Sequence, residues 1–192
     1  MPMNRDGAPK RRGAASWRLL DTGRLAAAEN MALDQVLLES KAKGLCPNTV
    51  RFLQFKSPAV LVGFSQCVEQ EVRLDYCRER GIDVNRRATG GGAIYFDESQ
   101  LGWELICDKS FLGAGIADEN FFQMASQPVV NMLNGMGLDA SFRPRNDIEV
   151  DGRKISGTGG TDEGDAFLFQ GTLLVDFDVD TMLRALRVPV EK

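Results

Sequence analysis

Apolar residues between Ala26 and Lys43 recur every three or four positions. Ala28, Ala32, Val36, Leu33 and Leu37 form a stripe that predicts a helix, with Glu29, Lys41 and Lys43 turned outward. Across Glu119 to Met136 a second stripe of Phe121, Ala125, Val129, Met132 and Met136 predicts another long helix with this side in the core. Shorter helices are predicted over Val72 to Arg80, ended by Gly81, and over Val179 to Leu186. Runs from Arg18 to Leu20, Val84 to Arg87 and Leu168 to Val175 read as strands. Thr49 to Phe55 and Ala59 to Val62 read as paired strands across Lys56-Ser57-Pro58, and Ala93 to Phe96 and Leu101 to Cys107 continue the sheet. Ile148 and Val150 alternate with charged residues up to Asp151-Gly152, a two-residue hairpin signal. On the returning strand, alternation sends Lys154 and Ser156 to one face, and Arg153 and Ile155 to the other. The order predicts an α/β fold of the α+β type, a mixed central β-sheet flanked by helices, with no repeat and no internal boundary.

Composition narrows the picture by exclusion. The 192 residues suit one domain, and 43% hydrophobic with 26% charged residues is ordinary for a globular protein. A net charge of -4 argues against broad nucleic-acid binding. No apolar run approaches the roughly 20 residues a membrane helix needs. Residues 1–16 open polar and basic with no hydrophobic stretch behind them, which predicts a disordered tail and no secretory signal. The chain has no histidine, which excludes Ser-His-Asp and Cys-His catalysis and imidazole zinc sites. Its four cysteines, Cys46, Cys67, Cys77 and Cys107, form no C-x-x-C pair; they fit a reducing cytoplasm and small core positions.

Two stretches carry candidate chemistry. In Arg86-Arg87-Ala88-Thr89-Gly90-Gly91-Gly92-Ala93-Ile94-Tyr95-Phe96-Asp97, three consecutive glycines let the backbone turn and lay N–H groups against a phosphate or carboxylate. Arg87 beside them carries a planar fork suited to phosphate oxygens. In the second stretch, Lys154 lies between the Asp151-Gly152 turn and the glycines Gly157 and Gly159-Gly160, where something can approach the backbone closely.

The chain here resembles the lipoate-protein ligases of the biotin/lipoate ligase superfamily. The resemblance is carried by the triple-glycine motif and by Asn146-Asp147 followed by Gly152-Arg153-Lys154-Ile155-Ser156-Gly157. Gln170-Gly171-Thr172-Leu173-Leu174, Gly63-Phe64-Ser65-Gln66, and Trp17 to Asp21 ahead of Glu29 to Asp34 extend it from about Trp17 to the last residue. It implies the superfamily's catalytic-domain fold over 17–192. It also implies an ATP-dependent activity that turns lipoate or octanoate into acyl-AMP, then passes the acyl group to a lysine of a lipoyl domain or glycine-cleavage H-like protein. Arg87 and Gly91, Gly92, Ala93, Ile94 and Tyr95 match the nucleotide-phosphate site. Lys154 matches the catalytic lysine that touches both acyl carboxylate and phosphate, and Gly157 lies beside the lipoate. Asn146 and Asp147 match residues near the nucleotide, with Asp147 a candidate Mg²⁺ ligand.

Two departures qualify the resemblance. Phe96 and Gln170 stand where many relatives carry histidine, which implies an altered pocket or substrate preference. The chain also stops at Lys192, where family members continue with further catalytic and accessory segments. It therefore reads as a trimmed chain or as one part of a split ligase completed by an accessory polypeptide. The alternatives are a cysteine-dependent octanoyl- or lipoyl-transferase on the same fold, which needs no ATP, and a non-catalytic lipoate-binding module. Transferases closest to the ligases hold their cysteine just before the lysine motif. Here Arg143-Pro144-Arg145-Asn146-Asp147 has none, which disfavours that reading.

Overall fold

The computed structural model describes residues 16–111 and 120–188, so the expected tail lies outside the described residues except for its last position. The chain runs β1 (Trp17–Leu25), α1 (Ala27–Ala42), β2 (Asn48–Phe55), β3 (Ala59–Val62), α2 (Val68–Glu71), α3 (Leu74–Arg80), β4 (Asp83–Arg86) and β5 (Ile94–Phe96). It continues β6 (Gln100–Asp108), α4 (Phe121–Gly135), β7 (Ala140–Arg143), β8 (Asp147–Val150), β9 (Arg153–Glu163), β10 (Ala166–Leu174) and α5 (Val179–Ala185).

Seven strands form one mixed sheet in the order β1-β2-β6-β10-β9-β8-β7, and β4-β3-β5 form a second, smaller one. The mixed sheet flanked by helices is as expected, but β5 and β6 fall in different sheets rather than continuing one, and one expected pairing is corrected. β2 and β3 do not pair: β2 joins the large sheet between β1 and β6, while β3 lies between β4 and β5. Pro58 stands in the short connection, where it donates no N–H and helps the chain leave the first sheet.

Residue alternation decides which layer each strand side chain joins. Odd positions of β6 and β10, such as Trp103, Phe167 and Phe169, pack under α4 with Phe121 and Ala125. Even positions such as Ile106 and Leu168 pack under α1 with Leu37 and Leu38. The small sheet buries Leu61 and Phe96 against Leu53 and Phe55 of β2.

Both long helices turn a different face inward from the predicted stripes. On α1 the buried residues include Asn30, Asp34, Leu37 and Lys41, whereas Ala28, Ala32 and Val36 are exposed. Lys41 is not turned outward; it donates to Asp108 at 2.8 Å. On α4, Phe121 and Ala125 are buried as predicted, but Met132 and Met136 face outward while Val130 and Leu133 enter the core. Steps of four residues exceed one 3.6-residue turn, so the predicted stripe drifts off the packed face.

Candidate active site

A cavity of about 600 Å³ opens between the large sheet, the small sheet, α1 and α5. Arg87, Gly91, Gly92, Ala93, Ile94, Tyr95, Asn146, Lys154 and Gly157 all line it. Residues more than 60 positions apart are therefore brought to one space by strand pairing. At one end the lining is polar and glycine-rich; elsewhere it is apolar, with Met31, Leu53, Phe55, Leu61 and Phe96.

The triple-glycine loop connects β4 to β5. Gly91 holds a φ of +92°, a conformation that side chains strain. A β-carbon on Gly63 would lie 2.1 Å from the Gly91 carbonyl oxygen, so the Gly63–Gln66 loop packs backbone to backbone against it. Arg86 locks that contact by donating from Nη1 to the carbonyls of Gly63, Phe64 and Gln66.

Arg87 is buried and mostly engaged by its own loop. Its Nη2 donates to Gly90 O and Gly92 O, each at 2.7 Å, its Nη1 to Leu61 O at 2.8 Å and its Nε to Thr89 Oγ1 at 3.1 Å. One of five N–H groups is left for a ligand, so Arg87 shapes the loop and adds charge more than it grips an anion. Burial lowers its pKa to about 10, which leaves it cationic at neutral pH.

Lys154 is delivered by the β8–β9 hairpin, whose Asp151 and Gly152 both take positive φ, 50° and 72°, as a two-residue turn of this kind requires. The predicted alternation after it is corrected. Glu149 pairs with Lys154 but Ile148 pairs with Ser156, so Ile155 is an extra, bulged residue. Cross-strand partners share a face, so Lys154 turns to the cavity while buried Ser156 joins Ile148 on the opposite side. Gly157 leaves room for the amine: a β-carbon there would lie 3.1 Å from Lys154 Nζ.

Lys154 Nζ lies 2.8 Å from Asp147 Oδ1, and Arg143 Nη2 lies 2.6 Å from Asp147 Oδ2. Burial works to raise the Asp147 pKa, but the two cations outweigh it and hold the carboxyl below its usual value. Both carboxylate oxygens face a cation, so a Mg²⁺ held by Asp147 together with phosphate oxygens would have to displace one of them. Asn146 braces the wall instead: its Nδ2 donates to Thr158 O at 2.7 Å, and its carbonyl accepts from Thr158 N at 2.8 Å.

The sequence patterns missed a charged floor. Arg51, fully buried on β2, reaches Asp34 on α1 and Glu104 on β6, the latter at 3.1 Å. Gln170 on β10 donates to Asp34 Oδ2 at 2.9 Å and to Glu104 Oε1 at 2.8 Å. Burial raises the pKa of Asp34 despite Arg51. Burial and the Asp34 charge together push Glu104 well above the usual carboxylate range. One guanidinium faces two buried carboxyls, so the pair favours keeping a proton, Glu104 more strongly than Asp34. No periodicity signals such a group; isolated charges in otherwise strand-like segments are its one trace.

None of the four cysteines lines the cavity. Cys77 and Cys107 are core residues as expected; burial raises both thiols, Cys107 to about 11. Cys67, expected in the core, is exposed, and Cys46 is half-buried.

Comparison with known proteins agrees with this architecture. An octanoyltransferase, LipM of Geobacillus kaustophilus, is 29% identical over 199 residues, covering 92% of this chain and 71% of that protein. The lipoate-protein ligase LplJ of Bacillus subtilis is 36% identical over 135 residues, covering 70% of this chain and 39% of that ligase. Among solved structures, the bi-partite lipoate protein ligase of Thermoplasma acidophilum superposes with a TM-score of 0.78 at 30% identity, covering 92% of this chain and 68% of that one. Residues 26–192 match the lipoyl protein ligase A/B catalytic domain, and the chain belongs to that family of lipoate ligases and octanoyltransferases.

Proposed function

We propose that this chain is the catalytic domain of an ATP-dependent ligase for lipoate or octanoate, acting in the cytoplasm on a lipoyl-domain or H-like acceptor protein. The observation that carries this reading is the make-up of the cavity. It joins an amide-rich loop and a lysine to an apolar chamber and contains no thiol. An acyl-enzyme route needs a cysteine nucleophile at the acyl group. An adenylate route needs only cations and N–H donors arranged in advance around phosphate and carboxylate.

In the first step a carboxylate oxygen of the acid attacks the α-phosphorus of ATP. The bond from that phosphorus to the bridging oxygen breaks, and pyrophosphate leaves with the electron pair. Lys154 shields the approaching anions from each other, leaving Asp147 to Arg143. The amides of Gly91 to Tyr95 supply donors for the phosphate. No role in this step is assigned to a metal held by Asp147.

In the second step the neutral acceptor amine attacks the acyl carbon, the bond from that carbon to the phosphate oxygen breaks, AMP departs with the electron pair, and the nitrogen releases its proton to solvent. A free lysine amine has a pKa of about 10.4, so its neutral form must be favoured locally. Asp147, held below its usual pKa, is a weak base. The cationic charge of Lys154 and the apolar walls lower the incoming amine's pKa instead. An accessory polypeptide completing the site fits the likeness to a bi-partite ligase.

The likeness to octanoyltransferases favours one rival, thiol-dependent transfer without ATP. ATP–pyrophosphate exchange, run with lipoate or octanoate and with or without candidate partner chains, separates the two. Acid-dependent exchange supports the ligase. A covalent octanoyl adduct on a cysteine, formed from octanoyl-carrier protein without ATP, would overturn it.

A further inference from the structure

Gln170 lies where the buried floor meets the glycine loop, and its hydrogen bonds have a direction. Its Nε2 donates to Asp34 Oδ2 at 2.9 Å and to Glu104 Oε1 at 2.8 Å. The Asp34 carboxylate can only accept, which turns the amide nitrogen to that side and the amide oxygen the other way. There Gln170 Oε1 accepts the hydroxyl of Thr89 at 2.8 Å. Thr89 has one O–H, now committed, and therefore meets Arg87 with a lone pair, accepting from Nε at 3.1 Å. That bond orients the guanidinium whose Nη2 holds Gly90 O and Gly92 O, each at 2.7 Å.

We propose that Gln170 is a positioning residue for the triple-glycine loop, with its amide oriented by Asp34 and Glu104 and that orientation passed through Thr89 to Arg87. A flipped amide would set its oxygen against the Asp34 carboxylate and leave the Thr89 O–H without its acceptor. The hydrogen bonds of the buried carboxyl pair go to Arg51 and Gln170, so the pair acts on the loop's carbonyl clamp through Gln170. Thr89 and Glu104 are both nearly solvent-free, at 1% exposure, so water does not readily substitute for a missing partner. The inference rests on the ligase reading only for what the loop binds; the hydrogen-bond relay stands without it.

The test uses Gln170→Met, which keeps length without the amide, Thr89→Val, which removes one hydroxyl, Thr89→Ser, which retains it, and the Gln170→Met/Thr89→Val pair. NMR order parameters of the Gly90, Gly91 and Gly92 amides are read without ligand. Values near 0.85 in the wild type and in Thr89→Ser, falling below about 0.6 in Gln170→Met and Thr89→Val, are expected. The double variant is expected to be no looser than either single change, because both cut the same relay. Unchanged loop amides in Gln170→Met, or a double variant clearly looser than both, would overturn the proposal.

Titration with an acyl-sulfamoyl adenosine, a stable acyl-adenylate analogue, gives the second readout. Gln170→Met and Thr89→Val should each weaken it about tenfold, as loss of one buried hydrogen bond does, while lipoate alone binds as in the wild type. Equal weakening of both ligands marks a general structural role and also overturns the positioning role. A wild type that fails to bind the analogue sinks the ligase reading, while the order parameters still decide the role of Gln170.

Discussion

Replacing Glu104 by glutamine tests the protonation of the buried floor. Glu104 is buried against Asp34 and Gln170, and Arg51 is shared between the two carboxyls. Its pKa in the folded protein is raised well above 4.5 by burial and by Asp34. Below the unfolded value both states hold the proton, and the group's contribution to stability is complete. As pH rises from there towards the folded value, the unfolded chain releases a proton that the folded chain keeps, and stability is lost. The slope is about 1.4 kcal/mol per pH unit for one proton. Glu104→Gln is already neutral and escapes that slope. It loses one acceptor, since a carboxamide nitrogen cannot accept from Arg51 or Gln170, at about 1 kcal/mol. The variant should therefore be slightly less stable than the wild type near pH 5. It should gain on it by about 1.4 kcal/mol for each unit of pH above that, up to the folded pKa. Urea unfolding followed by circular dichroism at pH 5, 6, 7 and 8 gives both curves. Parallel curves with a constant offset would mean that Glu104 is ionised when folded, and the one-proton account of the cluster would be wrong.

Lys154→Ala should lower the rate of lipoate-dependent pyrophosphate exchange by about 3–4 kcal/mol of transition-state stabilisation, whereas Arg153→Ala, on the opposite face, should change it little; equal effects in two folded proteins would refute the assignment. Gly92→Val, at a position with open space for a β-carbon, should leave the melting temperature nearly unchanged while acyl-adenylate binding falls; a collapse in stability would make this glycine structural. Gly63→Ala should destabilise by thermal melting, because its β-carbon would meet the Gly91 carbonyl at 2.1 Å; an unchanged melting temperature would show that the loop moves aside freely. Substituting serine at Cys46 and Cys67 and alanine at Cys77 and Cys107 should preserve adenylation in any variant that folds, and exchange lost with the fold intact would point to a thiol mechanism.

The sequence by itself determined the features that depend on neighbours in the chain. Asp151-Gly152 predicts its hairpin because few residues tolerate two successive positive φ values, and the structure has both. The triple glycine and Lys154 were legible for the same reason, as local departures from what packing alone would select, and both line one cavity. Element order was legible too, since helix and strand periods are properties of short segments. What faces what was decided only in three dimensions. Asn30 and Asp34 look solvent-facing until Arg51 comes from β2 to pair with them, and their burial turns α1 away from the stripe of Ala28, Ala32 and Val36. Lys41 likewise goes inside because Asp108, 67 positions away, meets it there. The bulge at Ile155 depends on the pairing of β9 with β8, and it alone sends Lys154 and Ser156 to opposite faces. Gln170 reaches Asp34 across 136 positions. A buried polar group is stable only with its partner in place, and a partner that far along the chain leaves no local pattern to read.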